Sequence, residues 1–404
     1  MRYQLVLTTL KKLSVFGMKP GLHRIRALLE GLGNPQQNLK VVLIGGTNGK
    51  GSVCAYLSSI LSEAGYKVGM YTSPHLIDYP ERIKINGQDI PRRQFSRLFQ
   101  RVYSVAKKIK DRPTVFEILT AMAILYFKQK GVDLALMEVG LGGTYDATNI
   151  LDPLFSVITN VELDHTEVLG KTLAKIARDK AGIVRSNSVL VTGADKGAVL
   201  KVLKEVCRQH KTKLIRADRT KRVSSRSGNQ SSPVPGYQTK NLAIVKSCVK
   251  VLNQLAFEIP GRAIKSGMKK TFWPGRYQVL SQKPLVILDG AHNPAGARAL
   301  SIALNQQSIP QPAVLIFGAI KNKDVDSMLK YLSPTFEVMF ITDFNYPDAL
   351  SPKKLVSLAA IKKPTTIFSS PLLALRKAKQ SGFKTVVVCG SLYMVGDLLK
   401  QLTN

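Results

Sequence analysis

The stretch GGTNGKGS, Gly45 to Ser52, limits what this chain can fold into more than any other. It follows the β-branched run Val41 to Ile44 and leads into the helix-patterned stretch Val53 to Ala64, which Gly65 is placed to close. A strand, a glycine loop and a helix in that order turn backbone N–H groups and a positive helix end toward an anion, because glycine lets the backbone approach phosphate oxygens. Lys50 is then placed to reach the outer phosphates. Ser52 offers a hydroxyl suited to magnesium, one residue later than in the standard P-loop because Gly51 intervenes.

The alternation continues. Val68 to Tyr71, Leu134 to Val139, Phe155 to Thr159 and Val189 to Thr192 read as buried strands, separated by helical patterns such as Phe116 to Gln129. This predicts a parallel sheet with helices on both faces. Arg216 to Gly236, rich in basic residues and serine and ending in Pro233 and Pro235, predicts an exposed loop. A second series, Leu285 to Leu288, Val314 to Phe317, Val338 to Thr342 and Thr385 to Cys389, follows a join punctuated by Pro274, Gly275 and Pro284. We therefore expect an α/β protein with an N-terminal P-loop-type parallel-sheet ATPase domain over residues 1–276. A smaller Rossmann-like α/β domain over 277–404 should follow.

At 404 residues with 45% hydrophobic content, the chain has enough apolar surface for two such cores. Lys and Arg outnumber Asp and Glu by 59 to 26, giving a net charge of +33. That favours anionic partners without separating nucleic acid, a membrane surface or a polyanionic small molecule, and it fits a basic surface spread over the whole chain equally well. Cys54, Cys207, Cys248 and Cys389 lack the spacing that holds zinc or exchanges disulfides, which suits a reducing compartment. The N-terminal apolar residues are interrupted by Lys11 and Lys12, with no small-residue cleavage site. No run approaches the roughly 20 apolar residues of a membrane span. A cytoplasmic chain without a membrane partner is expected.

Glu138 ends the apolar run LALME and precedes the glycine-rich VGLGG. A carboxylate at a strand end near a phosphate loop suits a magnesium ligand, the other reading being a structural acid that is paired or solvated. His165, in NVELDHTEVLG, fits either a metal ligand or a hydrogen bond within its own loop. Read by residue type alone, Lys180 is a solvated helix lysine and Phe116 a core aromatic.

The motifs GTNGKGS (Gly46 to Ser52), YTSPHL (Tyr71 to Leu76), ERI (Glu81 to Ile83), EVGLGG (Glu138 to Gly143) and DATNI (Asp146 to Ile150) occur in this order. LDHTEVLG (Leu163 to Gly170), DKAGI (Asp179 to Ile183), PGR (Pro274 to Arg276), LDGAHNP (Leu288 to Pro294) and CGSLY (Cys389 to Tyr393) follow. Together they resemble the Mur ligase superfamily, and within it the folylpolyglutamate synthase and dihydrofolate synthase branch. The resemblance implies an ATP-dependent ligase that joins L-glutamate to dihydropteroate or tetrahydrofolate, working as a monomer with its site at the cleft between two domains. It places ATP on Thr47, Asn48, Gly49, Lys50, Gly51 and Ser52, with Asn241 at the base, Asp289 at the ribose, and Arg276 and His292 at the phosphates. One magnesium falls to Ser52, Ser73 and Glu138, a second to His165, and a monovalent cation accompanies them. Lys180 matches a lysine carbamylated in many relatives, which with Lys50 and His165 completes the catalytic set. Phe116, Tyr145, Asp146 and Ala147 match the folate side. By residue type alone, Asn241, Asp289, Arg276 and His292 fit helix caps or solvated groups as well as ligand contacts.

Two departures from the resembled pattern stand out. Thr144 and Asp348 occupy positions where relatives carry arginine. The implied chemistry is activation of the acceptor carboxylate as an acyl phosphate, followed by attack of the glutamate amine. A peptidoglycan Mur ligase shares that chemistry, but SPHL with ERI points to the folate branch. A basic nucleic-acid-binding P-loop ATPase is the reading from a different class; the chain shows no basic helix with readout residues and no aromatic stacking motif to support it, so no nucleic-acid partner is expected.

Overall fold

A computed structural model describes residues 2–14, 17, 19–218, 235–358 and 363–403. The chain divides into two compact units: residues 2–75, 79–218 and 240–271 form the first, and 76–78, 235–239 and 272–403 the second. The division thus falls between Thr271 and Phe272, a few residues before the expected join, and the short segment Leu76–Asp78 belongs with the second unit.

The first unit holds strands β1 (Val41–Gly45), β2 (Val68–Tyr71), β3 (Ile83–Ile85), β4 (Gln88–Asp89), β5 (Leu134–Glu138), β6 (Phe155–Ile158), β7 (Val189–Thr192) and β8 (Lys213–Arg216). They form one sheet in the order β4-β3-β2-β5-β1-β6-β7-β8. From β2 to β8 neighbouring strands run parallel, whereas β3 pairs antiparallel with both β2 and β4. The sheet is therefore mixed rather than purely parallel. Central strands β1 and β5 are buried along their whole length, as VVLIG and LALME require when helices cover both faces. Strands β4 and β8 escaped sequence reading because QD and KLIR are short, polar and partly exposed, as sheet edges are, and β3 because IKI, next to the edge, is only three residues long.

Helix Val115–Lys130 is apolar almost all round because its first three turns are buried in this core. Thr114 caps its N-terminus, accepting from the Glu117 N–H, while the Glu117 carboxylate accepts from the Thr114 N–H at 2.7 Å. Such a cap stabilises a helix by about 1 kcal/mol. The Arg24 guanidinium, 2% exposed, ties the same carboxylate to the preceding chain. Its Nε lies 3.1 Å from Glu117, its Nη1 lies 3.0 Å from Asp111, and its Nη2 donates to the Lys19 carbonyl.

The second unit is a six-stranded sheet ordered β13-β12-β11-β14-β10-β9, built from β9 (Gln278–Gln282), β10 (Leu285–Leu288), β11 (Ala313–Phe317), β12 (Val338–Thr342), β13 (Thr365–Phe368) and β14 (Thr385–Cys389). Only β9 runs antiparallel to its neighbour. It and β13 are the polar edges that hydrophobic patterning missed. Apolar clusters lie on both faces, one under helices Pro294–Gln306 and Val325–Leu332, the other under Pro371–Gln380 and Leu392–Thr403. Of the expected loop Arg216 to Gly236, residues 219–234 lie outside the described residues; Arg216 closes β8 and Gly236 opens helix Gly236–Gln254 instead.

Candidate functional site

Four adjacent parallel strands, β2, β5, β1 and β6, deliver most of the candidate residues of the first unit from their C-terminal ends, while Phe116, Lys180 and Asn241 come from helices. The phosphate loop follows β1, Ser73 follows β2, Glu138 ends β5, and the segment from Thr159 to His165 follows β6. Ligand sites of open α/β sheets sit at this edge.

Lys50 opens helix Lys50–Glu63 directly after Gly49, whose φ of 85° favours a residue without a Cβ. A Cβ there would also stand 2.5 Å from the Oδ1 of the buried Asn241, so glycine is demanded by packing as well. The Lys50 ammonium curls back to the carbonyls of Gly46 and Thr47, each at 3.2 Å. Ser52, one turn into the helix, is 2% exposed. Gly51 lies between them on the first helical turn.

Lys180, at the end of helix Leu173–Lys180, overturns the reading by residue type as a solvated lysine. It is 4% exposed and its Nζ donates to the Gly46 carbonyl at 3.0 Å. Two lysine ammoniums thus meet one carbonyl oxygen at the phosphate loop. Burial, and then the positive charge of Lys50, push the Lys180 ammonium down to about 7.

Glu138 is 5% exposed and accepts from the Ser73 N–H at 3.1 Å. The Ser73 loop is stiffened by His75, whose Nδ1 accepts from Arg82 Nε at 2.9 Å and whose ring lies 4.3 Å from that of Tyr79. Burial and the neighbouring guanidinium lower the His75 imidazole to about 3, so it is neutral at pH 7. Among the described residues no three His, Cys, Asp or Glu side chains cluster as a metal site. Glu138 is a buried carboxylate and Ser52 and Ser73 carry hydroxyls, hard oxygens of the kind magnesium binds while keeping waters and substrate oxygens, so the residue types fit that ion. His165 stands with its ring 45% exposed and its backbone N–H on Asp164 Oδ1 at 3.0 Å.

Phe116, on the first turn of helix Val115–Lys130, packs on the backbone of Gly140, where a Cβ would come within 2.6 Å of the ring. Tyr145 is 61% exposed and Ala147 buried. Between them the Asp146 carboxylate is turned inward, accepting from Gly140 N–H (2.9 Å), Leu141 N–H (3.0 Å) and both the N–H and hydroxyl of Thr148. Burial raises its pKa against these bonds. Asp146 therefore shapes the EVGLGG turn. Thr144 is likewise structural, its N–H and hydroxyl both donating to the Asp179 carbonyl.

In the second unit Asp289, 5% exposed, accepts from the Tyr237 hydroxyl (2.8 Å), the Tyr277 N–H and the Ala291 N–H. Burial raises its carboxyl pKa. His292 Nδ1 lies 2.8 Å from the Gly290 carbonyl, so that nitrogen carries the proton and donates. Arg276 extends beside Gly290, donating to the Gly275 carbonyl at 3.3 Å. Sequence reading missed Tyr237, Thr159 and Asn160 as site residues; Thr159 showed only as the end of an apolar run, and Tyr237 and Asn160 carry no signature.

Models of the Mur ligase middle domain and of the Mur ligase glutamate ligase domain match residues 44–247 and 275–392. The chain belongs to the Mur ligases and, within them, to the dihydrofolate synthase/folylpolyglutamate synthase family. It is 32% identical to dihydrofolate synthase/folylpolyglutamate synthase of Bacillus subtilis, with 96% of each chain covered. It is likewise 32% identical to the Escherichia coli protein of that name, over 95% of this chain and 91% of that one. Among solved structures, E. coli FolC in complex with DHPP and ADP superposes with a TM-score of 0.89 at 29% identity, covering 98% of this chain and 97% of the other. The Yersinia pestis bifunctional folylpolyglutamate synthase/dihydrofolate synthase complexed with AMPPNP and Mn ion gives 0.88 at 32% identity, covering 100% and 98%.

Proposed function

We propose that this chain is an ATP-dependent ligase of folate metabolism, adding L-glutamate to 7,8-dihydropteroate, to tetrahydrofolate as a γ-linked chain, or to both. The observation that carries this reading is the convergence of Lys50 and Lys180 on the Gly46 carbonyl, beside the glycine loop that ends β1. The Lys50 ammonium at the N-terminus of helix Lys50–Glu63 is a receptor for phosphate charge, and Lys180, buried against the same carbonyl, is placed beside it.

The acceptor carboxylate is a poor electrophile, so its oxygen attacks the γ-phosphorus of ATP. That P–O bond forms as the bond to ADP breaks, giving an acyl phosphate. The glutamate amine then attacks the acyl carbon, loses a proton, and phosphate departs. Lys50 and the N–H groups from Gly49 to Ser52 offset the charge on the transferring group. Ser52, Ser73 and Glu138 would hold one magnesium and His165 a second, with a monovalent cation as a further ligand of the site, and when bound these ions would supply positive charge to offset that of the phosphoryl group. A Lys180 that loses its proton near pH 7 is a nucleophile toward carbon dioxide, which supports its conversion to a carbamate. We assign Asn241 to the adenine, Asp289 to the ribose, and Arg276 and His292 to the phosphates. Phe116, Tyr145, Asp146 and Ala147 border the pterin side. We place the reaction in the cytoplasm, with a monomer and small-molecule partners; no described helix is long and apolar enough to cross a membrane.

The test is glutamate-dependent phosphate release from ATP, with dihydropteroate and tetrahydrofolate offered separately. Release with both shows a bifunctional enzyme and release with one assigns that half. Release with neither, in a protein that binds ATP, rejects the proposed acceptor class.

A further inference from the structure

The phosphate loop is laced to the segment that follows β6. The Asn48 N–H donates to Asn160 Oδ1 at 2.9 Å, and the Thr47 N–H donates to the Asn160 carbonyl at 3.0 Å. From the residue before, the Thr159 hydroxyl donates to the Asn48 carbonyl at 2.7 Å. The lacing is returned two residues on, where the Glu162 N–H donates to the Thr47 hydroxyl at 3.0 Å. Gly46, at φ 133°, lies so close to Thr159 that a Cβ would sit 2.0 Å from its hydroxyl oxygen. Both backbone polar groups of Asn48, the N–H and the C=O, are thus held from one dipeptide.

We infer that Asn160 is a positioning residue for the bound nucleotide, with Thr159 as its companion. Its amide oxygen takes the Asn48 N–H out of the phosphate-facing set and fixes the loop's curvature, so that the N–H groups from Gly49 onward and the Lys50 ammonium converge on one point. Through Glu162 and Thr47 the same lacing sets where the chain runs on to His165. Preorganised donors bind charge better than donors that have to be ordered on binding. A glycine loop without an external latch would have to be ordered by the nucleotide itself.

This rests on the phosphate-loop part of the proposed function. The test is ADP affinity of the full chain by calorimetry, with magnesium and with neither folate nor glutamate, alongside KM and kcat of the ligase reaction. Asn160→Ala should weaken ADP by about tenfold, since one amide is left without its partner. KM for ATP should rise in proportion, with KM for glutamate unchanged and the unfolding midpoint without nucleotide little altered. Thr159→Val, nearly the same shape without the donor, should do the same, while Thr159→Ser should restore wild-type affinity. ADP binding by Asn160→Ala and Thr159→Val within twofold of wild type overturns the inference. So does an equal rise in the KM values for ATP and glutamate, which marks a general loss of structure. A wild-type protein that binds no ADP overturns the nucleotide assignment itself.

Discussion

The buried Nζ of Lys180 donates at 3.0 Å to the carbonyl of Gly46, 134 residues earlier in the chain, on the same oxygen that Lys50 reaches at 3.2 Å. Burial, and then the positive charge of Lys50, disfavour the charged form of Lys180 in the native state, holding it down to about 7 against an ordinary 10.5. Below pH 7 both states carry the proton and folding bears the full cost of burying it. Between about 7 and 10.5 the unfolded chain binds the extra proton, so stability rises with pH. In bicarbonate-free buffer, stability relative to Lys180→Met should increase by up to about 1.4 kcal/mol per pH unit across that window. Denaturant titrations of both proteins at pH 6, 7.5 and 9 check it. A pH-independent difference would refute the shift.

Lys50→Ala should abolish ligation while leaving the fold, because the ammonium it removes donates to the loop carbonyls of Gly46 and Thr47. Phosphate release falling by 100-fold or more, the order of one lost electrostatic donor, with an unchanged unfolding midpoint is the expected result. Full activity in that variant would remove the nucleotide assignment.

Glu138→Gln keeps the shape and the acceptor for the Ser73 N–H but removes the charge that suits a cation. Turnover should fall steeply and its magnesium dependence shift to higher concentration. ADP affinity measured in EDTA should stay near wild type. Unaltered magnesium dependence would move the metal away from this carboxylate.

Arg24→Met should be the most damaging of these changes to stability. It strands Glu117, 4% exposed, with its capping role intact but its charge partner gone. Breaking a buried pair on one side costs about 3–5 kcal/mol. Denaturant midpoints give the comparison, and the paired change Arg24→Met with Glu117→Gln should recover part of the loss.

Phe116→Ala should act on the acceptor and not on the nucleotide. The ring closes on Gly140 and stands 5.9 Å from the ring of Tyr71, on the side of β5 away from β1. A raised KM for dihydropteroate or tetrahydrofolate with ATP KM unchanged is expected; equal effects on both would make the ring a core residue only.

The sequence by itself determined what is local. Runs such as VVLIG and LALME are apolar at every position, which only a strand covered on both faces tolerates, and GGTNGKGS between a strand and a helix admits little besides a phosphate loop. Motif order then named the residues of both units. Tertiary structure alone decided the rest, because it depends on which distant groups share one dielectric and one hydrogen bond. Lys180 reads as surface by residue type and is buried because its helix ends against Gly46. Asp146 lies in a motif associated with substrate, yet its carboxylate is held inward by four donors of its own turn. The edge strands β4, β8, β9 and β13, and the three-residue β3 beside β4, carry no hydrophobic periodicity, since an edge is half solvated, and exist through pairing with neighbours. Asn160 has no signature at all: its amide matters because β6 lies beside β1, and adjacency in a parallel sheet is set by packing of the whole domain rather than by any stretch of residues.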